Sequence, residues 1–215
     1  IRDSLAGPAH AGAFPHPRSS PEVLWVFSTA GPVRSSPAVS GRTVFCGSSD
    51  GCIYALDAAS GALLWKYRTK KPVSSSPTVS GNTVFCGSWD RCIYALDAAS
   101  GALRWRYRTK KPVYSSPSVS GGAVFCGSSD GCIYALDAAS GALQWRYKMR
   151  VLVYPSLSLS FSLSLTLSFL RWMYQARYWA SSSPALSGGT LFCGSRDSCI
   201  YALDAVSGAL RWRYQ

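Results

Sequence analysis

The side chains in this chain that could carry catalytic or metal chemistry are eight cysteines, two histidines and ten acidic residues. The cysteines fall into four pairs of the form C-x5-C: Cys46 with Cys52, Cys86 with Cys92, Cys126 with Cys132, and Cys193 with Cys199. Zinc sites want closer ligand pairs and usually some histidine. The only histidines, His10 and His16, stand among prolines near the start with no cluster of partners. If each pair flanks a hairpin with a two- or four-residue loop, alternation of side chains sends the two cysteines to opposite faces; only an odd loop brings them together. They read as reduced, mostly buried thiols, with disulfides as the alternative. Asp50, Asp57 and their counterparts sit at turn positions. There is no Ser-His-Asp or Cys-His set, and no glycine-rich phosphate loop leading into a helix.

The segments that hold these residues repeat. Cys52 to Leu63 returns unchanged at 92–103 and 132–143, and returns at 199–210 with Val206 as the single substitution. A period of 40 residues in a chain of 215 implies a stacked repeat architecture. Within the second unit, Val73 to Val79 holds a Ser-Ser-Pro segment, and Ser80-Gly81-Asn82 turns the chain into Thr83 to Gly87. Ser88-Trp89-Asp90-Arg91 turns it again into Cys92 to Leu96. Asp97 to Gly101 makes the third reversal, before Leu103 to Arg108 closes the unit. Four short β-branched or aromatic runs between Gly, Asn, Asp and Ser turns, with no helical period, predict a four-stranded antiparallel meander. Such units in tandem predict an all-β partial β-propeller of about five four-stranded blades, one of them degenerate.

Trp25, Trp65, Trp105, Trp145, Trp172 and Trp212 mark the closing strands at a spacing of 40, except for 27 between Trp145 and Trp172. The expected organisation is a disordered Pro-rich linker over 1–23, blades over 24–148, a degenerate Ser/Leu low-complexity insert over 149–170 and a further blade over 171–215. Three readings of the uncharged tract 151–170 compete: one long strand, a membrane span, and low-complexity sequence that has overwritten part of a blade. A hydroxyl at every second position argues against the span, and the degenerate blade is favoured. The chain starts at Ile1 without a secretory signal, and Trp25 closes a unit lacking its first three strands. It reads as a fragment expected to continue in both directions.

The pattern Ala-x-Asp-x-x-x-Gly-x-x-x-Trp stands at Ala55 to Trp65, Ala95 to Trp105, Ala135 to Trp145 and Ala202 to Trp212. It resembles the tryptophan-docking motif of the pyrroloquinoline-quinone type propeller repeat, over roughly residues 24–148 and 171–215. The resemblance implies that Trp65, Trp105, Trp145 and Trp212 lie between blades, over a peptide plane and a small alanine. Ala55, Ala95, Ala135, Ala202, Gly61, Gly101, Gly141 and Gly208 complete the structural motif. Quinoprotein dehydrogenases of that family add adjacent cysteines, calcium ligands and an aspartate base. This chain has no Cys-Cys dipeptide, so no cofactor is expected, pyrroloquinoline quinone included. Other members of the family are outer-membrane assembly lipoproteins, kinase sensor domains, and the C-terminal propeller of a β-alanine-activating adenylate-forming enzyme. The run from Phe27 to Pro37 and the Val-Phe-Cys-Gly-Ser-x-Asp hairpin look most like the last of these.

Composition bounds the rest. A chain that is 47% hydrophobic and 13% aromatic can bury a sizeable core. Its charge of +12, from 22 basic against 10 acidic residues, points to anionic partners or to solubility alone. On the closing strands the cations alternate with aromatics and read as a solvated edge. Lys70, Lys71, Lys110, Lys111, Arg150 and Arg177 instead fall in the loops between blades, where repetition would lay an arc of positive charge on one rim. The leading reading is a non-enzymatic scaffold for protein-protein interaction with a partner of acidic character. The alternatives are an accessory propeller domain of a larger adenylate-forming enzyme and a quinoprotein oxidoreductase fragment. Nucleic acid is disfavoured because the aromatics near these lysines are taken by blade packing, and a membrane partner is disfavoured as well. The cysteines do not fix the compartment, and a cytoplasmic location is slightly favoured.

Overall fold

The computed structural model describes residues 23–149 and 182–215, and within them every regular element is a strand. The first blade is β1 (Ala38–Ser40), β2 (Thr43–Gly47), β3 (Cys52–Asp57) and β4 (Leu63–Arg68). The second is β5 (Thr78–Ser80), β6 (Thr83–Gly87), β7 (Cys92–Asp97) and β8 (Leu103–Arg108). The third is β9 (Ser118–Ser120), β10 (Ala123–Gly127), β11 (Cys132–Asp137) and β12 (Leu143–Lys148). The fourth is β13 (Ala185–Ser187), β14 (Thr190–Gly194), β15 (Ile200–Asp204) and β16 (Leu210–Tyr214). Each is an antiparallel sheet in chain order, so the architecture is a partial β-propeller of repeated blades. Residues 150–170 of the expected degenerate unit lie outside the described residues, as do residues 1–22 of the linker expected over 1–23 and Trp172. Among the described residues no helix is long and apolar enough to cross a membrane.

The innermost strand is shorter than the sequence implies: β5 begins at Thr78, and the Ser-Ser-Pro run before it is irregular. Pro77 has no N–H for a ladder. Ser75 and Ser76 engage neighbouring backbone with their hydroxyls instead. Ser75 Oγ accepts from Gly87 N (3.0 Å), and Ser76 Oγ accepts from Ser36 N (2.9 Å). The latter bond links first blade to second, and Ser76 N to Ser116 Oγ (2.9 Å) links second to third. Ser116 N to Ser183 Oγ (3.2 Å) links third to fourth across 67 residues, the period of 40 lengthened by the 27 that separate Trp145 from Trp172.

The blades are held together through their faces. One side of the second blade, Val84, Cys86, Cys92, Tyr94 and Leu96, packs on Phe45, Ile53, Ala55 and Trp65 of the first. Its other side, Phe85, Ile93, Ala95 and Trp105, packs on the equivalent set of the third. The alternation along each strand supplies both faces from one sequence, which is why these strands are apolar nearly throughout. Trp65 Nε1 donates to the Ala98 carbonyl (3.0 Å) and Trp105 Nε1 to that of Ala138 (3.0 Å), while the indoles lie over Gly101 and Gly141. A Cβ on Gly141 would stand 2.6 Å from the Trp105 ring. The same glycine has φ +73°, a left-handed conformation in which side chains are strained. Geometry and contact therefore demand glycine twice over. Within each sheet the alanine of the motif stands opposite its tryptophan: Ala55 and Ala95 are the register partners of Trp65 and Trp105. Ala135 stands likewise opposite Trp145, and Ala202 opposite Trp212.

Trp145 docks on Gly208 and donates to the Ala205 carbonyl (3.1 Å), so the third blade abuts the blade of 185–214 directly. Trp25 docks on Gly61 and the Ala58 carbonyl (3.0 Å) in the same way, although its segment has no ladder partner and forms no strand. Trp212 is 48% exposed, against 9% for Trp105.

All eight cysteines are free thiols and buried. Residues 48–52 separate the last ladder pair, Gly47 and Ile53, so the loop is odd and Cys46 and Cys52 share a face. An even loop would have parted them. Burial pushes the thiols of Cys86 and Cys126 up to about 12, against hydrogen bonds from Ser75 and Ser115 that act the other way.

Two outcomes are expected. Trp105→Ala should lower stability by about 3–5 kcal/mol, as large aromatic truncations in cores do, and Gly141→Ala by about 1–3 kcal/mol through overpacking. Urea midpoints unchanged in both variants would remove the docking contact from the account. A thiol raised on folding contributes stability that is complete below its ordinary value of 9.0 and is lost as pH climbs toward about 12. Melting temperature should accordingly fall above about pH 9. A Cys86→Ser, Cys126→Ser variant should fall less steeply, and an identical pH slope would refute the assignment.

Candidate functional site

The loops between blades are built by hydrogen bonds that leave their lysines outside. Thr69 N and Oγ1 both donate to the Gly51 carbonyl (2.7 and 2.8 Å), which fixes the loop to its own blade. Lys70 N donates to Asp90 Oδ2 (3.1 Å), and Trp89 N to the Pro72 carbonyl (3.0 Å), which fixes it to the next. The second loop repeats this: Thr109 N to the Arg91 carbonyl (2.8 Å), Lys110 N to Asp130 Oδ2 (3.1 Å) and Ser129 N to the Pro112 carbonyl (2.9 Å). The backbone of each lysine pair is clamped between two hairpins, and the side chains of Lys70, Lys71, Lys110 and Lys111 are exposed.

These four lysines converge. They line one groove of about 800 Å³ around the hairpin of the second blade, together with Trp89, Asp90, Arg91, Arg106 and Arg108. A smaller groove of about 560 Å³, lined by Asp50, Arg68, Thr69, Lys70, Lys71 and Pro72, adjoins the first blade and shares Lys70 and Lys71 with it. Arg150 and Arg177 lie outside the described residues. Sequence reasoning assigned Arg106 and Arg108 to a solvated edge, and Trp89 and Arg91 to a turn. Their contribution to the groove depends on how the outer strand and hairpin are brought beside the junction loops. A signal did exist for two of them: positions 89 and 91 are Ser and Gly in the first and third blades.

The nearby carboxylates are outnumbered rather than absent: among the residues lining the larger groove Asp90 stands against seven lysines and arginines, and each carboxylate is held in place by its own turn. Asp90 accepts from Cys92 N (3.0 Å) and the Tyr94 hydroxyl (2.6 Å) as well as from Lys70 N. Asp50 accepts from Cys52 N (2.8 Å) and the Tyr54 hydroxyl (2.7 Å); burial works against its ionisation, but these donors outweigh it and hold its carboxyl below the usual range. Tyr94 is raised, first by burial and then by donating to Asp90. At the opposite end of the blade, Arg104 and the Ser100 N–H and hydroxyl hold Asp97 well below the carboxylate range.

The described aspartates are committed to turn N–H groups and tyrosines, the cysteines include no adjacent pair, and no three His, Cys, Asp or Glu among the described residues are grouped to hold an ion.

The family model described as outer membrane protein assembly factor BamB matches residues 18–94 and again 88–167. Among solved structures, BamB from Moraxella catarrhalis superposes with a TM-score of 0.71 at 23% identity, over 88% of this chain and 55% of that one. The quinohemoprotein alcohol dehydrogenase ADHIIG from Pseudomonas putida HK5 gives 0.70 at 22% identity, over 88% and 35%. The computationally designed Ika4 protein gives 0.67 at 16% identity, over 86% and 99%. The chain thus spans about half the length of the Moraxella protein and about a third of the dehydrogenase. No curated protein matches it. At these identities the structures share the fold, and they include BamB, an alcohol dehydrogenase and a designed protein. The two successive matches to the family model cover most of the described blades, and on that ground the chain belongs to the BamB family of pyrroloquinoline-quinone type propeller repeats.

Proposed function

We propose that this chain is a non-enzymatic propeller scaffold that binds protein partners, with the blade-junction face as its contact surface and an acidic segment as what it takes. The observation that carries the reading is the convergence of Lys70, Lys71, Lys110 and Lys111 on one groove whose lining holds a single aspartate, Asp90. Such a concentration of one sign steers an oppositely charged partner and orients it on encounter. The family's description as an assembly factor supports a protein partner. The same scaffold inside a larger adenylate-forming enzyme is the second reading; its support is the run from Phe27 to Pro37 and the repeated hairpin sequence. A quinoprotein reading has no support from the donor set.

The test replaces Lys70, Lys71, Lys110 and Lys111 with Ser. A labelled oligoglutamate peptide should bind the parent at low salt, weaken as salt rises because exposed charges are screened within about 8 Å at physiological ionic strength, and bind the variant about tenfold less well or worse. The melting temperature should stay nearly constant, since exposed charges contribute little to stability. Equal affinities of parent and variant for this peptide would overturn the reading.

A further inference from the structure

The blades are near copies, so the places where one blade departs from the others carry information. In the β6–β7 hairpin the second blade has Trp89 where the first and third have Ser49 and Ser129, and Arg91 where they have Gly51 and Gly131. Arg91 adopts φ +74°, the conformation that its glycine counterparts adopt at +86° and +76°. An L-residue there is strained relative to glycine. At Gly51 a Cβ would also come within 3.3 Å of the Lys71 carbonyl oxygen. Nothing in the hairpin's own hydrogen bonding calls for arginine: Ser88 N bonds to the Cys92 carbonyl and residue 91 N to the Ser88 carbonyl, as in the first blade.

Trp89 is as deliberately held. Its ring N–H donates to Ser74 Oγ (2.7 Å), and its ring meets Tyr114 edge-on at 5.0 Å between centroids and 70° between planes. The docking tryptophans meet a glycine and a carbonyl of the next blade; Trp89 does neither, and it remains partly exposed in the wall of the cationic groove. Ser74 and Tyr114 are themselves variable across the repeat, Arg34 standing at the corresponding position of the first blade. The fourth blade carries Arg196 and Ser198 at the same two hairpin positions, Ser198 also at a positive φ of +64°, so among the described blades it is the tryptophan that is particular to the second, and both Trp89 and Arg91 line its cationic groove.

Building on the scaffold reading above, we propose that the groove of the second blade is the anchoring subsite of the junction face. It takes an acidic peptide segment that carries an apolar or aromatic side chain among its carboxylates. The carboxylates lie among Lys70, Lys71, Arg91, Arg106, Lys110 and Lys111, and the apolar side chain lies on the Trp89 indole. A rigid, pre-positioned aromatic beside arginines is the composition of an interaction hot spot, since little ordering remains to be done on binding. Single-stranded nucleic acid fits less well, because it stacks on a succession of aromatic platforms along a backbone track and this groove offers one exposed indole.

The experiment compares two labelled peptides, oligoglutamate and the same length with one central Phe, against the parent, a Trp89→Ser, Arg91→Gly variant and a Trp89→Phe, Arg91→Lys variant. The first variant restores what the neighbouring blades already carry, so it should fold and melt no lower than the parent. The parent should prefer the Phe-containing peptide by about fivefold or more. The Ser/Gly variant should lose that preference while still binding oligoglutamate through the four lysines, and the Phe/Lys variant should retain most of it. If the Ser/Gly variant keeps the preference while the four-lysine variant loses binding, the anchoring inference fails and the scaffold reading stands. Loss in neither variant overturns both. A single-stranded oligothymidylate that binds more tightly than either peptide, and is lost in the Ser/Gly variant, would replace the acidic peptide as the ligand.

Discussion

An indole lying on a glycine is the contact on which the rest of this fold depends. Trp25, Trp65, Trp105 and Trp145 each meet the ring-facing side of a glycine in the next blade and donate to a carbonyl three residues before it. That glycine closes the turn between the third and fourth strands in a conformation other residues resist, and the preceding aspartate holds the turn by accepting from two backbone N–H groups, as Asp97 does from Ala99 and Ser100. The turn must be tight for the glycine to present a bare face, and the face must be bare for the tryptophan to approach. Sheet, turn and packing are therefore fixed by one short motif, which explains why the motif can be repeated without any blade having a core of its own.

Because every blade shares its two faces with neighbours, polar chemistry is pushed to the two rims. On the rim with the β2–β3 type hairpins, aspartate, tyrosine and loop N–H groups satisfy one another, and the cations outnumber the aspartates beside them. That asymmetry is an outcome of the turn chemistry. It leaves the rim with an excess of positive charge, whether or not selection acted on each lysine separately. The departures in the second blade are a different matter, since Arg91 occupies a strained backbone position that the same hairpin fills with glycine on either side.

Much of this was legible in the sequence. The period, the order of strands and the turn glycines follow from residue types at fixed offsets, and the structure follows them except at the first strand of each blade, which is shorter than the sequence implies. What was not legible depends on distances between units. The parity of the hairpin loop decided that Cys46 and Cys52 share a face, and parity cannot be read from a C-x5-C spacing alone. The Ser-Ser-Pro run could pass for a strand until its hydroxyls were seen bonded to backbone across blades. The lysines could be placed on one rim, but their meeting around a single groove with Arg106 and Arg108 required the curvature of the array. Trp89 was hidden among tryptophans that do structural duty, and only its off-period position distinguished it.

The near-identity of the docking surfaces also bears on how the chain reaches this arrangement. Trp65 meets Gly101, but Gly141 and Gly208 present the same bare face with the same carbonyl beside it, and the seat used by Trp145 lies beyond a junction 27 residues longer than the others. A longer connection adds only a logarithmic entropy cost to closure, so pairing of non-adjacent blades is separated from correct pairing by chain connectivity more than by contact energy.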